Sequence, residues 1–320
     1  MRILITGAAG LYGVSLVGEL LSHDEVNMVF GVDDFSRGFP GEEEFLSCTA
    51  WGPRFQLIKS KYQDLTVKKL NSMNIDVGIH LAGYNSTKES MQTPNEYFLN
   101  NELGTFSFLQ RLLRTKNHPY LIYMSTIEVY GDCLYSPVDI DHPTRPKSIY
   151  AVTKLSGEKH CLALANWHHY PVTVIRSSST YGENLNLCGY SSVVAEFVER
   201  ACKSEPLIVY GTGSQSRDLI YVKDAVRAIY LIIKNRDNYL YKTIHLAGGK
   251  LTSINELAVK VKAITGSESE IIYLPCEKCV VPGIIADTPE LAAVGWKPEF
   301  TLEQGLRRTV DWYKELLAKP

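Results

Sequence analysis

The chain opens on a short apolar run, Ile3-Leu4-Ile5-Thr6, that passes directly into Gly7-Ala8-Ala9-Gly10-Leu11-Tyr12-Gly13. Glycines so closely spaced let the backbone turn sharply at the end of a strand. Behind them Val14, Val17, Leu20 and Leu21 recur at helical spacing. Where a strand turns into a helix in this way, the helix can serve as the crossover that parallel pairing needs. Apolar runs at residues 26–32, 55–59, 77–81, 120–124 and 172–175 read as the buried strands that follow, each leading into a segment of helical period. The alternation predicts an α/β fold: a Rossmann-type, doubly wound parallel sheet with its ligand crevice beyond the carboxyl ends of the strands. After about Ser178 the rhythm breaks into Gly-, Asn- and Ser-rich loops. One further strand, at 244–246, returns to the sheet before a helix at 254–265. We expect residues 1–178, joined by about 222–248, to form the large domain. Residues 179–221 and 249–320 then form a smaller, chain-interleaved α/β domain.

Bulk properties narrow the function classes. The 320 residues are 45% hydrophobic and 21% charged, enough apolar material for a core and too little charge bias for disorder. A net charge of −2 gives no basic field for a nucleic-acid backbone, so an anionic ligand must be gripped locally. No run approaches 18 apolar residues, so no membrane span is expected. With the first strand and its glycine loop at residues 3–13, no signal peptide is expected. Seven cysteines without regular spacing suit a reducing cytoplasm.

The glycine loop carries the first chemical signal. Its backbone N–H groups, opening a helix, suit a pyrophosphate. Asp33 ends the second strand 20 residues after Gly13, the position from which a carboxylate accepts hydrogen bonds from an adenosine ribose and repels a 2′-phosphate. The pairing predicts a bound dinucleotide, NAD in preference to NADP, with nearby Arg37 acting against that preference.

A second signal is Tyr150-Ala151-Val152-Thr153-Lys154, which puts a phenol and an ammonium on one helix face. A phenol with an ordinary pKa near 10 is lowered by a neighbouring ammonium and by an oxidised nicotinamide. It can then take a proton from a sugar hydroxyl while hydride leaves for the cofactor. Ser125-Thr126, at the end of the strand before it, brings a hydroxyl to the same crevice.

These motifs together resemble the extended short-chain dehydrogenase/reductases, specifically the NAD-dependent nucleotide-sugar epimerases and dehydratases of the UDP-glucose 4-epimerase kind. The resemblance spans nearly the whole chain. It rests on Thr6-Gly7-x-x-Gly10-x-x-Gly13, His80-Leu81-Ala82-Gly83, Asn101-x-x-Gly104-Thr105, Ser125-Thr126-x-Glu128-Val129-Tyr130-Gly131, Tyr150-x-x-x-Lys154 and Gly211-x-Gly213-Ser214-Gln215-x-Arg217-Asp218. It implies that Asp33 holds the adenosine ribose, that Asp64 and Leu65 flank the adenine, that Leu81 and Ala82 line the cofactor path and that Asn101 helps fix the dinucleotide. Gly7, Gly10, Leu11, Tyr12, Gly13, Asp34, Gly83 and Ser178 complete the implied cofactor contacts, with Tyr150 and Lys154 serving both cofactor and catalysis. Thr126, Tyr150 and Lys154 become the catalytic set, with Glu128 beside them. Ser179, Thr126 and Arg217 become substrate contacts, Arg217 pairing with a nucleotide diphosphate as a planar, always-charged fork.

Departures from the family pattern fall on the substrate side. The lysine of galactose-type 4-epimerases two positions past His-Leu-Ala-Gly is Asn85 here. The family's Arg-x-Phe-Asn reads Arg176-Ser177-Ser178-Ser179, a substrate asparagine near Ser191 or Ser192 is missing, and no arginine stands in Cys276-Glu277-Lys278-Cys279-Val280-Val281. The 4,6-dehydratases carry Asp-Glu after the threonine, and Ile127 in the Asp position disfavours dehydration. Glu128 matches the glutamate of uronate decarboxylases, whereas a 4-epimerase needs no acid or base beyond the tyrosine. The resemblance therefore favours 4-epimerisation, with decarboxylation, dehydration, keto-sugar reduction and non-catalytic NAD(P)-binding regulation as alternatives.

Two further patterns are read as structural. Cys276-x-x-Cys279 has no second ligand pair for zinc and sits between Pro275 and Pro282-Gly283, so no metal is expected. His168-His169 closes the Tyr150 helix and reads as its C-terminal cap. Helices after Asn101 and Tyr150 carry Phe106, Leu109, Leu112, Leu155 and Leu162; in the family such helices pair across a homodimer.

Overall fold

The computed structural model describes residues 1–37, 41–48, 51–184, 192–275 and 283–318. Twelve strands are found among them: β1 (Arg2–Thr6), β2 (Met28–Asp33), β3 (Phe55–Lys59), β4 (Val77–His80), β5 (Tyr120–Thr126), β6 (Val172–Ser177), β7 (Ser179–Tyr181), β8 (Leu207–Tyr210), β9 (Ser216–Tyr221), β10 (Thr243–Leu246), β11 (Leu251–Ser253) and β12 (Ile271–Leu274). The expected doubly wound sheet is present. Seven strands pair in the order β10-β6-β5-β4-β1-β2-β3, all parallel. Its edges differ from the apolar runs by one or two residues: β2 starts at Met28, β4 stops at His80, and β5 and β6 run on to Thr126 and Ser177. Hydrogen-bond pairing sets these ends; Thr126 lies opposite Ser177, which an apolar run cannot show.

Alternation along each strand splits the core into two layers. Ile3, Ile5, Val29, Val77, Ile79 and Ile122 pack with the helices Leu11–Leu21 and Val222–Lys234. Leu4, Phe30, Leu121, Tyr123, Val172 and Val174 face the other way, against Leu70, Phe108, Leu109, Leu112, Cys161 and Leu164. Both faces are covered, which is why these strands read as continuous apolar runs. The chain reverses direction across the sheet at β1, whose neighbours are β2 and β4. The C-terminal ends of β1, β2 and β4 thus frame the crevice of a topological switch point.

The remaining strands form two small sheets, β11-β9-β7 and β12-β8. Helices Val193–Cys202, Ile254–Thr265 and Leu302–Leu317 pack around them; the last is held at its start by a capping box between Thr301 and Gln304. The chain crosses between the two regions more than once, as the helix Val222–Lys234 and β10 return to the large sheet. Among the described residues no helix is long and apolar enough to cross a membrane.

Candidate active site

The glycine loop is fitted for an anion above it. Gly7 has φ +77°, and a Cβ there would lie 2.8 Å from the Ala82 nitrogen; one on Gly13 would lie 2.2 Å from the Gly7 carbonyl oxygen. Neither position admits a side chain. Gly10 precedes the helix Leu11–Leu21 with no side-chain cap and no acid in its first turn, leaving the first N–H groups directed at the crevice. Asp33 closes one end. Its carboxylate accepts the Ala9 and Phe35 N–H groups, each at 2.9 Å. Burial pushes its pKa up to about 6 against these bonds, so a ribose hydroxyl would meet an acceptor that solvent does not satisfy. The loop and the carboxylate fit a dinucleotide.

The opposite wall is built from the segment after β4. His80 is buried between Thr6 Oγ1 (2.7 Å) and Thr105 Oγ1 (3.0 Å), and burial lowers its pKa to about 3. It is a neutral strut between β1 and the helix Thr105–Leu113. Asn101, buried in a π-helical turn (Phe98–Gly104), accepts the Tyr84 N–H and donates to the Tyr84 carbonyl, both at 2.7 Å. Its amide therefore fixes the loop Leu81–Tyr84 rather than projecting freely. Leu81, Ala82 and Gly83 are thereby set beside the glycine loop, and a Cβ on Gly83 would lie 4.0 Å from Lys154 Nζ. Leu65 is buried, whereas Asp64 is exposed at the end of its turn and Asp34 spends an oxygen on Ser36. Tyr12 turns its hydroxyl to Ser177 (2.6 Å) and Thr180 (2.5 Å), tying the first helix to the end of β6.

The helix Ile149–His168 begins at Ser148, whose side chain accepts the Ala151 N–H. Ser148 thereby fixes where Tyr150 and Lys154 fall. Tyr150 faces Thr126 at the end of β5. Its own protein surroundings move its pKa up from the ordinary phenol value. Burial is the first cause and the negative charge of Glu128 the second, with the Thr126 hydroxyl acting in the other direction. Lys154 is itself buried, with its ammonium 4.6 Å from the Tyr123 ring centre, and burial lowers its pKa to about 8 while Glu158 supports its charge. Tyr150 is a protonated phenol in these surroundings, and the positive charge of an oxidised nicotinamide would act against both causes.

Glu128 reaches the crevice from a 3-10 turn (Ile127–Tyr130) capped by Thr126. Thr87 Oγ1 donates to it at 2.7 Å. Surrounding protein raises its pKa, opposed by the Thr87 bond and by the charge of Arg217. Arg217, half-buried on β9, donates to the Ser216 carbonyl at 2.8 Å. Asp218 beside it is buried and accepts the Gly248 and Gly249 N–H groups, holding β9 to the end of β10. Thr126, Glu128, Tyr150 and Arg217 thus face one space. Ser178 is buried, its hydroxyl without a partner among the described residues, and Ser179 is exposed on β7. Ser191 and the Cys276–Val281 stretch, with its Cys-x-x-Cys, lie outside the described residues. Among those described, no group of three His, Cys, Asp or Glu side chains is arranged to hold a metal.

Residues 3–247 match the NAD dependent epimerase/dehydratase family. The chain belongs to that family. As a family member it is an enzyme and its cofactor is NAD. It is 28% identical to a putative UDP-glucose 4-epimerase of Methanocaldococcus jannaschii, over 98% of each chain. It is 30% identical to a UDP-N-acetyl-alpha-D-glucosaminuronate decarboxylase of Bacillus cytotoxicus, again over 98% of each. A UDP-glucuronic acid 4-epimerase from Bacillus cereus, solved with UDP-glucuronic acid and NAD, superposes with a TM-score of 0.90 at 27% identity, covering 99% of this chain and all of that one.

In this family member Glu158, His245 and Thr87 belong to none of the motifs, and Ser125, Tyr130 and Arg176 carry no role in them. Ser125 donates to the buried Glu158 (2.5 Å), which receives Nε and Nη2 of Arg176; Nη1 of Arg176 donates to the Tyr130 hydroxyl, and that hydroxyl meets His245 Nε2 at 2.5 Å. This chain of partners lies beneath Thr126 and ties β5, β6 and β10 to the Tyr150 helix. One signal was available: Tyr150, Lys154 and Glu158 stand at i, i+4 and i+8 on one helix face. Thr87 carried none, because its contact with Glu128 spans 41 residues of chain.

Proposed function

We propose that this enzyme is a nucleotide-sugar 4-epimerase, acting on a UDP-hexose or a derivative of one. The supporting observation is that Tyr150 faces Thr126 at the end of β5 with Lys154 one helical turn on, whereas Glu128 is already engaged by Thr87. Bound NAD supplies hydride acceptance and return. Thr126 orients the sugar O4 and Tyr150 removes its proton, Lys154 lowering the cost of the phenolate. The keto sugar turns over, so that hydride returns to the other face of C4 while Tyr150 gives its proton back to O4. Arg217 holds the diphosphate and Ser179 a sugar hydroxyl, while Asp33, Asn101 and the glycine loop hold NAD.

Two features argue against the related reactions. Ile127 is buried in an apolar cluster with Val129, Val138 and Ile284, so the acid needed for 4,6-elimination is replaced by core. Glu128 is engaged by Thr87 and faces Arg217, which suits an anchor better than a base. Decarboxylation is the second reading, since Glu128 is drawn upward in pKa as an acid–base group would be and one relative is named a uronate decarboxylase.

In this reading residues 1–178 with 222–248 bind NAD, and 179–221 with 249–320 bind the nucleotide-sugar. The working form is a cytoplasmic homodimer, its contact built from Phe98, Leu99, Leu103 and Phe106, which are 41–56% exposed. Leu109 and Leu112 of the same segment belong to the core instead.

Incubation with UDP-glucose, UDP-N-acetylglucosamine and UDP-glucuronate in the presence of NAD, followed by proton NMR, tests the reaction. Inversion at C4 with all six sugar carbons retained is expected. Release of CO₂ from the uronate, without inversion of any substrate, overturns the proposal.

A further inference from the structure

The loop after β2 and the segment after β4 lie on opposite sides of β1, and one side-chain pair joins them. Both terminal nitrogens of Arg37 donate to the two carboxylate oxygens of Glu89, each at 2.6 Å. The guanidinium lies 3.9 Å from the centre of the Tyr84 ring. Arg37 stands four residues past Asp33, in the region where an arginine accommodates the 2′-phosphate of NADP.

Local sequence assigned Glu89 a different task. Ser86-x-x-Glu89 has the pattern of a capping box, in which the carboxylate returns to the N–H of the capping serine. Half of that box forms: the Ser86 side chain accepts the Glu89 N–H. The other half does not, because the Ser86 N–H donates to the Tyr97 hydroxyl at 3.0 Å. Tyr97 also donates to Glu89 Oε2 at 3.0 Å. Tyr97 thus takes over the cap and leaves the Glu89 carboxylate to Arg37.

We propose that Glu89 is a specificity-determining residue for the cofactor: it holds and neutralises Arg37, which otherwise would serve as a 2′-phosphate site. Asp33 repels the phosphate directly; Glu89 engages a cation of the adjoining loop that would offset that repulsion. The preference for NAD is then set from two strands, and the second contribution comes from a helix distant in sequence. A bidentate guanidinium already satisfied by a carboxylate gains little from exchanging it for a phosphate ester, whereas a released one gains a charge-assisted contact.

The test is competitive loading. Purified enzyme is equilibrated with a fixed mixture of NAD and NADP, separated from free nucleotide, denatured, and the released cofactors quantified by chromatography. Glu89→Gln is expected to shift the bound ratio toward NADP by about tenfold to a hundredfold, the range of one hydrogen bond to a charged group. Glu89→Ala serves if Glu89→Gln lowers the yield of folded protein, and the same shift is expected. Adding Arg37→Gln to either variant is expected to abolish the shift. The proposal is overturned if the ratio stays at the wild-type value in both Glu89 variants, if the shift survives loss of Arg37, or if both cofactors weaken equally, which would make the pair a clasp without selectivity.

Discussion

The walls around the glycine loop and those around Arg217 are built on different principles. On the cofactor side the polar groups are committed within the protein before any ligand arrives: His80 between two threonines, Asn101 on both groups of the Tyr84 peptide, Asp33 on two N–H groups. Tight backbone approaches at Gly7 and Gly13 leave that wall no alternative shape. Where the two walls meet stands a run of small hydroxyls, Ser177 and Ser178 at the end of β6 and Ser179 and Thr180 on β7, the Ser178 hydroxyl buried and unpartnered among the described residues. The sheets on the substrate side have three and two strands, against seven. A fixed wall suits a ligand common to the whole family. A wall of short hydroxyls on short strands can change with the sugar, and the chain's departures from the family pattern gather there.

The Tyr150 site lies where the two regions meet, and removing its phenol gives the largest expected effect. Tyr150→Phe should cut turnover by about 10²–10⁴-fold, the usual contribution of a positioned acid–base group. NAD binding should be unchanged, because the fixed wall does not depend on that hydroxyl. Near wild-type turnover with the enzyme's own nucleotide-sugar would take Tyr150 out of the chemistry.

Breaking the buried support tests whether the rigidity is as localised as it looks. Arg176 and Glu158 are 6% and 0% exposed at their side chains. Glu158→Gln leaves the guanidinium short of its charge partner and should cost about 3–5 kcal/mol of stability. The loss is read as a lowered urea midpoint with an unchanged slope. A change under 1 kcal/mol would mean that the network is replaceable and that Thr126 is positioned by β5 alone.

Arg217→Ala addresses the other wall. Loss of a hydrogen-bonded charge should weaken nucleotide-sugar binding by about 1.5–3 kcal/mol, seen in KM, with NAD affinity intact. A parallel loss of NAD affinity would show that the two walls are coupled and that the contrast between them is overstated.

The smallest effect is expected at Glu128. If it anchors, Glu128→Gln should slow epimerisation by about tenfold or less, near 1.4 kcal/mol of barrier. It should also move the pH profile. The Glu128 charge raises the Tyr150 pKa, so its removal lowers that pKa and shifts the limb belonging to Tyr150 to lower pH. A loss above a hundredfold accompanied by CO₂ release would promote the decarboxylase reading.

Much of this molecule was determined by the sequence alone, and for a local reason. Strand runs, the glycine turn, Asp33 at the end of β2 and Tyr150 with Lys154 on one helix face are all fixed within a few dihedral angles of their own positions. Periodicity and spacing report such features directly. The tertiary structure decided what depends on charge and burial across long chain separations. Ser86 and Glu89 have the spacing of a capping box, but Tyr97 takes the Ser86 N–H and Glu89 goes to Arg37, 52 residues away. Tyr150 and Lys154 show as neighbours on one helix face, but the burial and the Glu128 carboxylate that raise the phenol's pKa do not show in that spacing. Spacing along a helix shows which groups can meet. The dielectric and the competing partners around them exist only once distant strands have been brought together, and these set how strongly each group holds its proton or its ion.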